Sequence, residues 1–205
     1  AIERHIAFGH NDRPGVMTAM AGRIYLNRFG ILSGEKIIVA TNNDSAYEMT
    51  VELAGAGAAV TLLDARSSVP EKFSADLKGR GVELRTGVAP LKAQGGHGVR
   101  ALTLAEADGS GWRESGTENC DLVLVSGGWS PVVNLLSHRG VKPRWDAENA
   151  CFLPDDTTEP VIVAGSAAGI WRTGDCVVSG ESAGLRAARA LDRAAAEPSA
   201  PKPGG

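Results

Sequence analysis

Hydrophobic positions in this chain gather into short unbroken runs that alternate with stretches of helical spacing. Ile37-Ile38-Val39-Ala40 is the first such run. Runs of this kind belong to strands of a parallel sheet that helices cover on both faces. It stops at the polar turn Thr41-Asn42-Asn43-Asp44, where Asn43 or Asp44 can cap the next helix. Tyr47, Val51, Leu53 and Ala54 supply that helix with apolar surface, Gly55 and Gly57 end it, and Val60 to Leu63 reads as the second strand. A shorter helix near Glu71 to Lys78 leads to a third strand, Val82-Glu83-Leu84. Ahead of this unit, Ile6-Ala7-Phe8 is a short apolar run, and Met17 to Phe29 has helical spacing that Gly30 would end.

From Gly87 to Thr117 the texture changes. Val88 to Leu91 and Val99 to Leu104 alternate with Gly95-Gly96 and Asp108-Gly109-Ser110-Gly111, which reads as an antiparallel meander. A fully apolar strand returns at Leu122 to Val125, followed by Gly127-Gly128 and by one or two helical turns within Val132 to His138. Val161-Ile162-Val163 reads as another buried strand, a helix is expected from about Ser182 to Ala195, and AEPSAPKPGG is a linker or tail. The predicted organisation is an interdomain connection and helix at 1–32, a Rossmann-like domain at 33–128, part of a second dinucleotide-binding domain at 129–195, and a linker at 196–205. The fold class is α/β: a doubly wound parallel sheet with a three-stranded meander, plus that remnant.

Composition removes several function classes. The chain has 205 residues with 43% hydrophobic, enough to bury a core. A formal charge of -3 with no basic run argues against nucleic acid as a partner. No apolar stretch approaches the roughly 18 residues of a membrane span, and the start AIERHIAFG lacks the pattern of a secretory signal. Cys120, Cys151 and Cys176 are far apart and form no CxxC pair, so a disulfide scaffold or zinc ribbon is not expected and the setting reads as reducing and cytoplasmic. His5, His10, His97 and His138 have no metal-ligand spacing. No acid–base pair, Ser-His-Asp set or activated cysteine can be assembled, so no catalytic residue is assigned.

Lys36 to Arg66 carries the most information. Strand, turn, helix, glycine turn, strand and terminal acid form the opening unit of a dinucleotide-binding fold, yet Thr41 to Asp44 stands where glycines would admit a pyrophosphate. The overall order, with its meander, Gly-Gly and a later strand ending in Ala-Gly, resembles the pyridine-nucleotide-disulfide oxidoreductases, whose second dinucleotide domain is inserted into the first. The phrases NDRPGVM (11–17), YLNRFG (25–30), TNNDSAY (41–47), DAR (64–66) and CDLVLVSGGWSP (120–131) are similar to the alpha subunits of heterotetrameric sarcosine oxidases.

The resemblance implies an oxidoreductase that converts sarcosine, oxygen and tetrahydrofolate to glycine, methylene-tetrahydrofolate and hydrogen peroxide. It implies partner beta, gamma and delta subunits, and a complex holding FAD, FMN, NAD and zinc. The flavins and folate lie outside a chain of this extent, and NAD sits in the first dinucleotide domain of alpha. On this reading the chain is an internal piece of a larger subunit, without the G-x-G-x-x-G segment, and it binds NAD weakly or not at all by itself. The alternatives are a non-catalytic subunit-docking module, part of a related amine or opine dehydrogenase, or an NADH-flavin reductase component.

Carried onto this sequence, the resemblance places NAD contacts at Ser166, Trp171 and Thr173, with Gly165 before them. Ser166 stands where flavin-dependent relatives carry the Asp of a Gly-Asp clasp. Trp171 either stacks on a base or ribose or covers a core edge. Asp64, about 20 residues after the turn, stands where a ribose-binding acid belongs. With no phosphate loop beside it, it also reads as a polar strand end, and Arg66 can either neutralise it or accept a 2′-phosphate. Gly127-Gly128 suits a tight crossover between domains or close approach to a ligand. Cys120 reads as apolar filler, and His10-Asn11-Asp12-Arg13 as an interdomain hinge.

Overall fold

The structure, a computed structural model, describes residues 1–155 and 160–191. The chain forms two compact units, Glu3–Gly128 and Ala1–Ile2 together with Trp129 onward. The linker expected at 196–205 and the end of the last predicted helix lie outside the described residues.

In chain order the strands are β1 (Ile2–Glu3), β2 (Val16–Thr18), β3 (Lys36–Thr41), β4 (Ala59–Asp64), β5 (Glu83–Thr86), β6 (Val88–Gln94), β7 (Ala101–Ala107), β8 (Trp112–Asn119), β9 (Leu122–Ser126), β10 (Trp129–Ser130), β11 (Arg144–Asp146) and β12 (Cys151–Leu153). The helices are α1 (Ala19–Phe29), α2 (Ser45–Gly55), α3 (Glu71–Gly79), α4 (Asn134–Ser137) and α5 (Thr173–Ala190), and a 3-10 turn covers Gly165–Ala168.

The Glu3–Gly128 unit is built on a five-stranded sheet in the order β2-β9-β3-β4-β5, all neighbours parallel. Alternation along each strand divides its apolar residues between two cores. Ile37, Val39, Leu62, Leu122 and Leu124 meet Tyr47, Met49 and Leu53 of α2, Leu77 of α3 and Ala19 of α1. Ile38, Ala40, Leu63, Val123 and Val125 meet Ala93, Leu102 and Leu104 of the antiparallel sheet β6-β7-β8. The unbroken strands are therefore covered on both faces, but only one cover is helical. The meander supplies the other. It is fastened to the parallel sheet by Glu118, which accepts the Thr61 hydroxyl at 2.8 Å and pairs with Arg85.

From Glu3 on, the segment before Lys36 contributes to this same unit. The helix expected from Met17 starts at Ala19, because Val16–Thr18 instead adds an edge strand beside β9, pairing Val16 with Val123 and Thr18 with Val125. An edge strand satisfies backbone groups that the first turn of a helix would leave open. Gly30 ends α1 in the left-handed conformation (φ 66°). Gly22 lets α1 settle onto β9, since a Cβ there would come within 2.8 Å of Leu124 Cδ1. The His10–Arg13 cluster is a turn inside this unit and not an interdomain hinge. Arg13 donates to the carbonyls of Gly95 and Gly96 (2.8 Å to the latter) and so holds the β6–β7 connection.

In the second unit, β11 and β12 form an antiparallel hairpin in which Trp145 faces Phe152, with ring centroids 5.1 Å apart in an edge contact. Val161–Val163 does not form the expected strand. The described residues of this unit contain no parallel sheet for it to join, and a lone strand leaves its backbone groups unpaired. The helix expected from Ser182 begins at Thr173, nine residues earlier than expected.

Candidate functional site

Two places carry the residues singled out from sequence, one in each unit. The first is the carboxyl end of the parallel sheet, where β3, β4 and β9 finish at Thr41, Asp64 and Ser126. In open α/β sheets this edge is where ligands bind.

Thr41, Asn43 and Ser126 tie the loop after β3 to the end of β9. Thr41 Oγ1 lies 3.1 Å from the carbonyls of both Asn43 and Ser126, and Asn43 Nδ2 donates to the Ser126 carbonyl at 3.0 Å. Asn43 Oδ1 in turn accepts the Ser45 backbone N–H at 3.1 Å, taking one of the amides that open α2. Asp44 makes no side-chain cap; its carboxylate accepts Arg66 Nη1 at 2.7 Å.

Asp64 has no solvent exposure. It accepts the Tyr47 hydroxyl at 2.7 Å, the Arg66 backbone N–H at 2.9 Å, and Arg66 Nη2 at 2.8 Å, with Nε 3.1 Å from Oδ1. Burial, reinforced by the Asp64 bond, pushes the Tyr47 hydroxyl well above its ordinary pKa. The Asp64 bond, joined by the one to Asp44, holds Arg66 firmly protonated against its partial burial. Arg66 neutralises the strand-end acid, one of the two roles the sequence offers it: the phrase DAR puts it two positions past Asp64, close enough to fold back on it.

Gly127 and Gly128 pair with the backbone of Arg4. Arg4 N donates to Gly128 O and Gly127 N to Arg4 O, each at 2.8 Å. A Cβ on Gly127 would sit 3.1 Å from Arg4 O and 3.2 Å from His5 O. Cys120 is buried just ahead of β9; burial, aided by the charges of Asp121 and Glu118, pushes its thiol up to about 12, so it is no nucleophile near neutrality.

The second place is the turn Gly165–Gly169 and the amino end of α5. Gly165 and Gly169 are left-handed (φ 60° and 79°), and a Cβ on Gly169 would strike Leu153 Cδ2 at 2.5 Å. Gly165 N donates to Ser179 Oγ at 3.1 Å, fastening the turn to α5. Ser166 is half-buried within the turn. Trp171 Nε1 donates to Asn149 Oδ1 at 2.9 Å, and the residue as a whole is 38% exposed. Thr173 is the first residue of α5, whose start has no side-chain cap. A cavity of about 340 Å³ lies between 162–170 and α5, lined by Ile162, Val163 and Ile170 opposite Asp175, Ser179 and Arg186, so that it carries one acidic and one basic side chain. Gly165, Ser166, Trp171 and Thr173 thus fall on one turn and helix start, while Asp64 belongs to the other unit.

No family model matches the chain. It is similar to the alpha chain of sarcosine oxidase from Corynebacterium sp. (strain P-1), 38% identical over 213 residues that cover all of this chain and 22% of the relative. The corresponding alpha chain of sarcosine oxidase from Rhizobium meliloti (strain 1021) is 37% identical over 181 residues, covering 88% of this chain and 17% of the relative. One component of the opine oxidase of Rhizobium meliloti is 29% identical over 89% of this chain and 40% of its own length. The chain therefore spans about a fifth of the sarcosine oxidase relatives it matches. Among solved structures, Lactococcus lactis thioredoxin reductase superposes with a TM-score of 0.70 at 18% identity, over 92% of this chain and 63% of that one. That likeness shows the fold alone, an α/β arrangement shared with thioredoxin reductase.

Proposed function

We propose that this chain, which matches a segment of sarcosine oxidase alpha subunits, is the dinucleotide-domain portion of such a subunit. Its parent is an oxidoreductase acting on CH–NH groups, converting sarcosine with oxygen and tetrahydrofolate to glycine, methylene-tetrahydrofolate and hydrogen peroxide. This segment holds NAD and gives structural support. The amine is oxidised elsewhere, with FAD, FMN and tetrahydrofolate held by other parts of a cytoplasmic complex that includes beta, gamma and delta subunits.

One observation carries the NAD assignment. A glycine turn with two left-handed positions leads straight into an 18-residue helix whose first amides have no side-chain cap. A helix start of this kind favours an anionic group such as a pyrophosphate, and the Asp175 carboxylate in its first turn is offset by Arg172, 3.9 Å away. Gly165 takes the left-handed conformation that the turn needs, Ser166 puts a neutral hydroxyl where a carboxylate would repel the phosphates, Thr173 offers a donor, and the partly exposed Trp171 can stack on a base or ribose. When bound, NAD would supply a redox-capable nicotinamide; the residues named here bind and orient it.

The test uses the intact parent protein. NAD released on denaturation, measured per mole of protein, should fall at least about tenfold in Ser166→Asp and stay near the wild-type level in Ser166→Ala. Full NAD content in Ser166→Asp ends this assignment. In the 205-residue chain alone, calorimetry should detect no micromolar NAD affinity.

A second reading, a subunit-docking module, is favoured by a different observation. Ile24, Tyr25 and Phe29 of α1 and the following Ile31 are each more than 40% exposed on neighbouring positions. Clustered exposed apolar side chains mark contact surfaces. The two readings are compatible. A monomer whose size-exclusion volume is independent of concentration would count against docking through this patch.

A further inference from the structure

We propose that the nucleotide crevice of the Glu3–Gly128 unit is closed from within, with the Arg66 guanidinium taking the place where a strand-end acid would otherwise receive a ribose diol. Asp64 is then the anchor of an internal plug and not a cofactor ligand. The crevice is closed in this way whether or not NAD is held at 165–173.

Hydrogen-bond capacity at Asp64 is already filled. An ionised carboxylate offers about four acceptor positions. At Asp64 the donors are Tyr47 Oη, Arg66 N, Arg66 Nε and Arg66 Nη2, so none is left for a ribose. Asp64 is also fully buried, and a ligand could reach it only by displacing an arginine paired through two of its nitrogens. That arrangement is the strong geometry for a guanidinium and a carboxylate.

Arg66 does more than neutralise its neighbour. Nη1 extends to Asp44 Oδ1 at 2.7 Å, immediately before α2. The guanidinium therefore spans from the end of β4 to the start of α2, the line along which an adenosine and its pyrophosphate lie in folds of this type. Its backbone is fixed on both sides: Arg66 N donates to Asp64 Oδ1, and Gly87 N donates to Arg66 O at 2.8 Å. Ala65 N donates to Thr41 O at 2.9 Å, drawing the two strand ends together.

The helix start is closed as well. Asn43 Oδ1 already accepts the Ser45 amide, and Asp44 places a carboxylate where phosphate oxygens would come. Two carboxylates against one guanidinium leave a net negative charge at that point, which repels an anion. The sequence thus keeps the strand-end acid of a nucleotide site while its arginine neighbour occupies it.

The test follows the melting temperature of the intact parent protein with adenosine, NADH or NADPH as probe. Wild type should show no saturable rise that depends on Asp64. Arg66→Ser should lower the melting temperature, and adenosine should then raise it saturably, with an affinity at least about tenfold above wild type. Adding Asp64→Asn to Arg66→Ser should abolish the adenosine response. A wild-type rise with NADH or NADPH that disappears in Asp64→Asn would overturn the proposal. So would an Arg66→Ser protein of native circular dichroism that ignores adenosine. A wild-type rise that survives Asp64→Asn comes from another site and supports the closed crevice. The wild-type arm stands even where Arg66→Ser fails to fold.

Discussion

At the scale of single residues, the molecule's strongest commitments are Asp64 and its partners. Tyr47→Phe removes a hydrogen bond to a buried carboxylate and should destabilise the protein by about 1.5–3 kcal/mol, read as a lowered urea midpoint. Tyr47 and Cys120 also set the alkaline limit. Both hold their protons more firmly when folded, so between the unfolded and folded pKa values the native state carries more protons and stability falls as pH rises. For Cys120 that window opens near its ordinary 9.0 and runs to about 12; for Tyr47 it opens near 10.0 and extends higher. Urea midpoints should therefore decline above about pH 9, and less steeply in a Cys120→Ala, Tyr47→Phe double variant. An equal decline in that variant would assign the alkaline loss to other groups. Alkylation at neutral pH should reach Cys120 only after unfolding.

At the scale of elements, the sequence is legible wherever a run of apolar residues has a partner. β3, β4 and β9 lie where their unbroken runs indicate, and Gly30 and Gly57 turn the chain where expected. Val161–Val163 has the same apolar character and forms no strand, because strand formation depends on neighbours that local sequence does not contain. α5 reads nine residues short in sequence, since Gly174 and Gly180 interrupt its first turns and resemble loop. β11 and β12 leave no clear sequence signal because they are three residues each, and their aromatic contact pairs Trp145 with Phe152 across a turn. The closed crevice is half-legible: spacing finds Asp64, but the fold-back of Arg66 depends on side-chain geometry. Gly22→Val offers a check on packing. Its side chain would press into Leu124, and it should cost about 1–3 kcal/mol in unfolding free energy. A neutral result would mean that α1 can shift on β9.

At the scale of the whole molecule, two compact units divide the roles. The Glu3–Gly128 unit has two apolar cores, one on each face of its parallel sheet, and a nucleotide edge filled by its own side chains. The unit from Trp129 onward carries the glycine turn, the uncapped helix start and the cavity beside them. No helix among the described residues is long and apolar enough to cross a membrane. The central claim is that NAD is held at 165–173 and excluded from the strand ends at 41–66. Hydrogen–deuterium exchange on the intact parent protein, with NAD bound and after its removal, addresses both halves together. Within this segment of the parent, slowed exchange on binding at 162–175 with 41–66 unchanged is the predicted result; protection at 41–66, or none at 162–175, would contradict it.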